Sequence, residues 1–431
     1  MTEPRRIPRA EHSISRSQIS PGTLKVLYTL KDAGYEAYMV GGGVRDLLAG
    51  LEPKDFDVAT NAHPEQVKRL FRACRLVGRR FVICHVRFGD EIVEVTTLRG
   101  PITDSHERDE TGRILSDNEY GTLEEDAFRR DFTINALYYD ISDYSILDFA
   151  NGLEDMRHGV LRLIGDPELR FREDPVRMLR AVRIANKMGF RIDAPTAAPI
   201  RRIGHLLGEI PAARLFDEVL KVLMGKEAVA NFLQLRELGL FEQLFPHTEA
   251  ALEDARSYNF VLSVLLNTAD RLKREMTVNP AFLYAALLWP PVVARMKQLI
   301  VKQGHHHNVA SVQASEEVLA QALQRVAIPK RFSLPMREIW QLQPRFELRK
   351  SSQARRLLTH PRFRAAYDFL LLRAQAGEAP QELADWWTQA QTGADLPPVR
   401  EGAAPQLADP AKKKRRRGGR GRSKRAAPAA E

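Results

Sequence analysis

The pattern of apolar and polar residues divides the chain into two parts. In the first part, short apolar runs of strand length alternate with short helical segments: residues 36–41 form one such run, and residues 80–86 and 91–97 predict a β-hairpin. From Asp174 onward, apolar residues recur at helical spacing over long segments, and no stretch convincingly predicts a strand. The pattern therefore predicts the α+β class, with an N-terminal α/β head followed by an all-helical body.

Capping signals and local composition indicate where these parts begin and end. Ser20 followed by Pro21 predicts the N-cap and the first residue of a helix that runs to Gly34. The chain then divides into five predicted segments: a flexible N-terminal arm (1–19), a head (20–155), a helical neck (156–225), a helical body (226–393) and a disordered basic tail (394–431).

Positive charge is concentrated at the C-terminal end. The 431 residues include 65 Lys and Arg against 55 Asp and Glu, a formal net charge of +10. Residues 410–431 hold ten of these basic residues and one acid, so the rest of the chain is close to neutral. Such a segment is expected to be disordered and to attract a phosphate backbone, although it could also serve only solubility. The side chains expected to contact nucleic acid are Lys412, Lys413, Lys414, Arg415, Arg416 and Arg417.

The sequence argues against several classes of protein. No run of 18 or more apolar residues predicts a membrane span, and the N-terminus lacks an apolar signal segment, so a cytoplasmic location is expected. Cys74 and Cys84 have no CxxC spacing and suit reduced thiols better than a zinc site. Neither a Rossmann glycine motif opening a helix nor a P-loop motif is present.

Two aspartates separated by one residue, Asp55 and Asp57, are candidate metal ligands. They follow the apolar run at 36–41 after a helical segment and a short loop, and on a returning strand both would project from the same face. Two such carboxylates suit a pair of Mg²⁺ ions about 3.5–4 Å apart. Glu94, on the second hairpin strand, is the candidate third ligand, and the alternative is an exposed group of an edge strand. An aspartate pair alone also occurs in ordinary acidic loops.

Glycines precede the aspartate pair and give it a context. Gly42 and Gly43, directly after the first apolar run, allow the backbone to approach a ligand closely, and a helix opens behind them. Free N–H groups at such a turn, with Arg45 nearby, suit a triphosphate. A glycine turn alone is commonly only a turn, but this order and spacing with Asp55 and Asp57 favours a nucleotide site.

At these residues the chain resembles the nucleotidyltransferase superfamily of DNA polymerase β, in the branch that holds bacterial poly(A) polymerases and CCA-adding enzymes (the class II tRNA nucleotidyltransferase and poly(A) polymerase family). The sequence RRDFTINA, which begins at Arg129, matches a further segment of this branch. The resemblance implies that Asp131 takes part in catalysis and that Arg129 and Arg130 bind the triphosphate. Whether Glu94 or Asp131 is the direct third metal ligand stays open from sequence.

A residue pair at the start of the helical region is a candidate reader of the nucleotide base. Asp174 and Arg177 are three apart, which places them on one face of a predicted helix that opens with acids in its first turn. An Asp acceptor beside an Arg donor matches the Watson–Crick edges of adenine and cytosine, whereas guanine and uracil present the reverse order. The pair also resembles the EDxxR nucleotide-selecting motif of the branch. It predicts use of ATP and CTP and does not separate the two enzyme types.

One stretch favours one side of that branch. Six consecutive residues resemble a signature of bacterial poly(A) polymerases that CCA-adding relatives generally lack: Leu76, Val77, Gly78, Arg79, Arg80 and Phe81. Without the other motifs, these residues would predict only a turn that enters a strand. The whole resemblance covers roughly residues 11–390.

The sequence therefore predicts a template-independent RNA adenylyltransferase. It would add poly(A) to RNA 3′ ends from ATP, release pyrophosphate and use two Mg²⁺ ions, with the head catalytic, the neck reading the base and the body and tail holding RNA. The resemblance implies a role in bacterial RNA decay, with mRNA and other RNAs as partners, and a monomer is expected. Two alternatives stay open: a CCA-adding tRNA nucleotidyltransferase, and a non-catalytic RNA-binding protein that uses the tail.

Overall fold

The computed structural model describes residues 3–78, 81–101, 119–349 and 351–392. The predicted tail from residue 394 onward lies outside the described residues, as do Arg79 and Arg80. Within the described part, an α/β unit is followed by an almost entirely helical unit, which confirms the predicted fold class. No described helix is both long and apolar enough to cross a membrane.

Strands are concentrated in the head. They are β1 (Arg5–Ile7), β2 (Ala37–Val40), β3 (Asp57–Thr60), β4 (Cys74–Val77), β5 (Ile83–Phe88), β6 (Glu91–Thr97), β7 (Leu137–Asp140), β8 (Ile146–Asp148), β9 (Val160–Leu161) and β10 (Arg191–Ile192). The first eight form one mixed sheet in the order β1-β8-β7-β2-β3-β6-β5-β4, in which β3 and β6 are parallel and the other described neighbours are antiparallel. The short β9 and β10 form a separate parallel pair, so one strand does follow Asp174.

Two local predictions about the sheet have different outcomes. The predicted hairpin is confirmed, because β5 and β6 are antiparallel neighbours with Gly89 at φ 60° in the turn between them. The N-terminal arm differs in part from the flexible segment that we expected. Its β1 pairs with β8 at one edge of the sheet, and Ile7 is buried there. Burial of this apolar side chain anchors the start of the described chain.

Helices flank the sheet and build the remainder of the molecule. They are α1 (Pro21–Asp32), α2 (Gly42–Leu48), α3 (Pro64–Leu70), α4 (Leu123–Arg129), α5 (Gly152–His158), α6 (Pro167–Glu173), α7 (Val176–Met188), α8 (Ala194–Ala197), α9 (Ile200–Ile203), α10 (Ala212–Leu223), α11 (Ala228–Glu237), α12 (Leu240–Leu244), α13 (Pro246–Ala251), α14 (Ala255–Lys273), α15 (Pro280–Leu287), α16 (Trp289–Gln303), α17 (His307–Arg325), α18 (Lys330–Leu342), α19 (Ser351–Leu358), α20 (Phe363–Gln375) and α21 (Gln381–Ala390). The start of α1 is as predicted, since the Ser20 hydroxyl accepts a hydrogen bond from the Thr23 N–H.

The junction between α6 and α7 differs from our expectation that the acids open a helix. Instead, α6 ends at Glu173, and Asp174 follows it with φ −152°. The next helix, α7, begins at Val176. Pro175 causes the break, because a residue before proline is disfavoured in the helical conformation. Asp174 and Arg177 therefore lie on either side of a helix junction.

Two cores meet near the RRDFTINA segment. The head core packs α1 against the sheet and includes Val58 and Val95. The larger helical core includes Phe132 and Ile134, which belong to this segment, together with much of α7. Both side chains are fully buried. Their burial holds the segment between the head sheet and the neck helix.

Candidate active site

Asp57 is the first residue of β3 and lies opposite Glu94 in the parallel register with β6. Burial, reinforced by the charge of Glu94, raises the pKa of Asp57 to about 6. Asp55 lies in the loop before β3 and is exposed. Asp55 therefore does not lie on the strand, contrary to our expectation, although its charge adds to the causes that raise the pKa of Asp57. The strand starts only at Asp57 because its partner strand β2 ends at Val40, directly opposite.

The carboxylates are the candidate metal ligands. In the described ranges, no group of three or more His, Cys, Asp and Glu side chains is already gathered closely enough to hold a metal ion. The donor chemistry still fits a hard divalent cation, because carboxylate oxygens are its usual ligands. Asp57 and Glu94 place like charges opposite each other, an arrangement that a bound cation would stabilise. On the far side of Glu94, His85 Nε2 lies 3.5 Å from its Oε1.

The glycine turn faces this carboxylate. Gly41 has φ 75°, and a Cβ added there would lie 3.3 Å from Asp57 Oδ2 and 3.5 Å from Arg130 Nη1. At Gly43, an added Cβ would lie 2.9 Å from the Phe56 ring. Side chains are thus excluded on both faces of the turn. The first N–H groups of α2, which begins at Gly42, have no acceptor within the helix.

One end of the Arg130 guanidinium also lies beside Gly41 and Asp57. Its Nε and Nη2 donate to Asp126 Oδ2 at 3.1 and 3.0 Å, and its Nε also donates to the Tyr138 hydroxyl. Despite burial, Arg130 and Arg99 hold the pKa of Asp126 at about 2. With Nε and Nη2 fixed in this way, Nη1 is the end that faces Gly41 and Asp57. Arg130 is therefore placed to meet an anion beside the candidate metal site.

The other two arginines predicted at the triphosphate are placed differently. Arg45 is buried and donates from Nε and Nη2 to Asp46 Oδ1 and from Nη1 to Asn135 Oδ1. Arg129 is also buried, and its Nη1 donates to the Gly100 carbonyl at 2.7 Å. These contacts do not support the direct triphosphate role that we expected for Arg45 and Arg129. Both side chains hold neighbouring segments in position instead.

Asp131 is bonded within the protein. Its Oδ2 accepts from Arg180 Nε at 2.7 Å, and its Oδ1 accepts from Asn135 Nδ2 and from the Phe132 N–H, each at 2.9 Å. Although burial opposes ionisation, Arg180 keeps the pKa of Asp131 well below its usual range. The carboxylate beside Asp57 is therefore Glu94, whereas Asp131 connects the RRDFTINA segment to α7.

These contacts form one continuous hydrogen-bond network between head and neck. At its far end, Lys187 Nζ donates to Asp46 Oδ2 at 2.6 Å. The network begins and ends on α7 and passes through α2, directly behind the glycine turn. Its six residues, in order, are Lys187, Asp46, Arg45, Asn135, Asp131 and Arg180. We name them the head–neck network.

Sequence reasoning overlooked the α7 residues of the head–neck network, Arg180 and Lys187. A signal was present, because the basic residues 177, 180, 183 and 187 follow helical spacing and share one face of α7. That face lies toward the head, where Asp131 accepts a hydrogen bond from residue 180 and Asp46 accepts one from residue 187. The role of Asp126 and Tyr138 in holding Arg130 was also missed.

The predicted base reader lies at the start of α7. Asp174 Oδ2 accepts from Arg214 Nη2 at 2.8 Å, and Arg177 Nη1 donates to Glu173 Oε2 at 3.0 Å and to the Arg170 carbonyl. The backbone also joins the pair, since the Arg177 N–H donates to the Asp174 carbonyl. The structure thus brings the two side chains to one junction and holds each with a different partner.

The six-residue signature lies at the edge of the sheet. Leu76 and Val77 end β4. Gly78 has φ 104°, and a Cβ added there would lie 2.1 Å from the Phe81 carbonyl oxygen, so this turn requires glycine. The Arg99 guanidinium lies over the Phe81 ring at 5.2 Å. Arg79, Arg80 and the six predicted tail contacts lie outside the described residues.

Comparison with known proteins assigns the family. Residues 37–162 match the model of the "Poly A polymerase head domain", residues 189–252 that of the "Probable RNA and SrmB- binding site of polymerase A", and residues 303–423 that of the "Polymerase A arginine-rich C-terminus". The "Poly(A) polymerase I" of Salmonella typhi is 49% identical over 424 residues, which cover 95% of this chain and 90% of that protein. This chain belongs to the bacterial poly(A) polymerase family.

CCA-adding enzymes are more distant relatives of this poly(A) polymerase family member. The "CCA-adding enzyme" of Lactobacillus helveticus is 42% identical over 211 residues, which cover 48% of this chain and 51% of that protein. Among solved structures, the Bacillus stearothermophilus CCA-adding enzyme in complex with CTP is similar with a TM-score of 0.54 and 28% identity, over 87% of this chain and 83% of that chain. The similarity to this poly(A) polymerase extends through the body, whereas the similarity to this CCA-adding enzyme covers about half of the chain.

Proposed function

We propose that this chain extends RNA 3′ ends with adenylate residues from ATP, without a template and with release of pyrophosphate. It belongs to a family of polynucleotide adenylyltransferases. The observation that carries the proposal is the position of Asp57, which lies opposite Glu94 and beside the Gly41 turn, with Arg130 Nη1 on the same side. This arrangement offers carboxylates for cations and a cationic group for phosphates around one point.

Asp55, Asp57 and Glu94 are the proposed ligands of two Mg²⁺ ions. When bound, such ions activate the attacking hydroxyl and neutralise the charge of the triphosphate. Glu94 is the third carboxylate in this proposal, because Asp131 is already bonded to Arg180. Asp131 then acts as a positioning residue that fixes the RRDFTINA segment, and with it Arg130.

The triphosphate is proposed to lie against the glycine turn. The N–H groups of Gly42 and Gly43 open α2 and suit phosphate oxygens, and Arg130 Nη1 adds a positive charge. Arg45 and Arg129 support this surface from behind through Asp46 and Gly100. The protein contributes position and charge to the in-line displacement rather than covalent chemistry.

Asp174 and Arg177 are the proposed base-selecting residues. The carboxylate accepts from the amino group of adenine, and the guanidinium donates to the neighbouring ring nitrogen. Arg214 and Glu173 hold the two side chains at the helix junction. Since cytosine presents the same pattern, this pair rejects GTP and UTP, and the choice of ATP over CTP requires other groups.

The test is extension of an unstructured RNA with each nucleoside triphosphate separately. We expect long products with ATP, weak incorporation of CTP and no extension with GTP or UTP. A product of three nucleotides confined to tRNA, with CTP required first, would support the CCA-adding alternative. RNA binding without extension by any nucleotide would support the non-catalytic alternative. The Asp57→Asn variant controls for contaminating polymerases.

RNA as a partner follows from the matched RNA-binding model and the relatives. The cytoplasmic location and the monomeric state stay predictions. Cell fractionation and light scattering of the full chain would test them separately.

A further inference from the structure

A cavity of about 470 Å³ lies in the helical body, far along the chain from the candidate active site. It is formed where the N-terminal part of α17 meets the end of α18, the turn that follows it, and α19. Its polar lining includes Ser311 on α17, Gln341 on α18, Arg345 in the turn, and Gln353 and Arg356 on α19. A volume of this size is within the range of small-ligand sites.

The two arginines of the cavity have no side-chain partner among the described residues. Arg345 and Arg356 make no ion pair or side-chain hydrogen bond with any described residue, and no acidic residue is among those that line the cavity. A second cavity of the body gives a contrast. There Arg362 pairs with Glu338 and Arg364 pairs with Asp368. The first cavity therefore keeps two guanidinium groups available for an anion.

Several uncharged polar groups around the cavity also lack partners among the described residues. Ser311 is 2% exposed, and its Oγ has no hydrogen-bond partner there, whereas buried polar groups are ordinarily satisfied. The amides of Gln341 and Gln353 likewise make no described hydrogen bond, and each offers both a donor and an acceptor.

Apolar surface completes the cavity. Val312 and Leu348 line it and are 42% and 48% exposed, respectively. Two cations, several amides and an exposed apolar wall match the three parts of a nucleotide: phosphate, base edge and base face. We propose that this cavity binds a nucleotide of the single-stranded RNA substrate, upstream of the 3′ end that is extended. The proposal rests on the proposed function only for the identity of the substrate.

The cavity and the proposed base-selecting residues are connected through α17 and α10. At the other end of α17, the Ala327 N–H donates to the Ala212 carbonyl at the start of α10, and Arg214 of α10 bonds Asp174. The helical rise from Ser311 to Arg325 separates the cavity from that end by roughly 20 Å. On a proposed path along α17, an RNA held at Asp57 must cover at least this distance to reach the cavity, so we expect the longer RNA to reach it and one of a few nucleotides not to.

The experiment uses the full chain and measures RNA affinity by fluorescence anisotropy without ATP, at several salt concentrations. The test variant is Arg345→Gln with Arg356→Gln, which removes two charges from exposed side chains and leaves their length similar. The matched control is Arg256→Gln with Lys297→Gln, two exposed basic residues of the same body outside the cavity. Two oligoadenylates serve as probes, of about 4 and about 20 nucleotides.

We expect the test variant to bind the longer RNA roughly 10-fold more weakly at moderate salt, with a slope of log K against log salt flatter by about 1.4, since each contact to a single strand contributes about 0.7. Affinity for the short RNA should stay unchanged, and the control should change less for both probes. Val312→Trp, which fills the cavity without altering charge, should weaken binding of the long RNA alone.

Equal slopes for the test and control variants, or equal losses for the short and long RNA, would overturn the proposal. So would binding of AMP that depends on Arg345 and Arg356 but leaves RNA affinity unchanged, because that result would assign the cavity to a free nucleotide. These measurements do not require catalysis. A wild-type protein that binds RNA through the cavity but never extends it would refute the proposed function and keep the RNA site.

Discussion

Lys187 Nζ lies 2.6 Å from Asp46 Oδ2 and joins the last turn of α7 to the helix behind the glycine turn. At the other end of α7, Arg177 is a proposed base-selecting residue. One helix therefore carries a proposed base contact at its start and a bond to the helix behind the proposed triphosphate site near its end. Asp46 is 3% exposed, so this ion pair has one buried partner. We therefore expect this contact to help set the distance between the proposed base and triphosphate sites.

The first prediction concerns Lys187→Met. The substitution leaves Asp46 Oδ2 buried without a donor, which should cost about 1–3 kcal/mol of unfolding free energy. Because α7 loses its anchor on α2, we also expect a several-fold higher KM for ATP. Thermal unfolding and steady-state kinetics with ATP varied at saturating RNA would measure the two effects.

Two further variants separate positioning from stability. Lys187→Arg keeps a donor at this site and should restore the KM for ATP, whereas Lys226→Met removes an exposed lysine at the start of the helical body and should change neither quantity. A lower melting temperature with an unchanged KM for ATP would show that the contact stabilises the fold without positioning the nucleotide.

The sequence predicts some parts of this site well because their signals are local. Strand alternation placed Glu94 on a hairpin beside the aspartates, and β6 indeed pairs with β3. The bonding of Arg45 and Asp131 was not predictable in this way. Arg45 meets Asn135, 90 residues later, and Asp131 meets Arg180, 49 residues later. Which donor satisfies a buried carboxylate depends on how head and neck pack, and no local pattern records that.

The second prediction distinguishes the two candidate third carboxylates. Glu94→Gln should raise the Mg²⁺ concentration needed for half-maximal extension and leave the stability of the metal-free protein nearly unchanged. Asp131→Asn should do the reverse, because it removes the partner of Arg180 in a largely buried ion pair, at a cost of up to about 3–5 kcal/mol. Mg²⁺ titrations of extension and melting curves in EDTA would show which pattern each variant follows. A shifted Mg²⁺ requirement in Asp131→Asn alone would make Asp131 the ligand.

The third prediction concerns the close approach at Gly41. Gly41→Ala introduces a Cβ 3.3 Å from Asp57 Oδ2, whereas Gly50→Ala introduces one with nothing within 4 Å. Both positions have positive φ, near 75° and 70°, which strains any residue with a Cβ, and at Gly41 ψ −135° lies outside the left-handed helical region and adds to that strain. We expect Gly41→Ala to lose more stability than Gly50→Ala, and a loss of turnover per folded molecule, 10-fold or more, only in Gly41→Ala. Activity per folded molecule is the measurement, and equal activities would mean that the turn does not face the ligand.

The last prediction concerns Asp57→Asn. Removing this ligand should lower turnover by several powers of ten, because the reaction depends on charge neutralisation at the site. In EDTA, however, the variant should be at least as stable as the wild type, since a neutral amide replaces a buried carboxylate that faces Glu94. Added Mg²⁺ should raise the melting temperature of the wild type, as a ligand that binds the folded state must, and should leave the variant unaffected. Asp90→Asn removes an equal charge from the exposed hairpin turn and should behave as wild type in every assay. If Asp57→Asn retained normal turnover, or lost stability in EDTA while keeping its Mg²⁺ response, Asp57 would be a structural residue and the metal site would lie elsewhere.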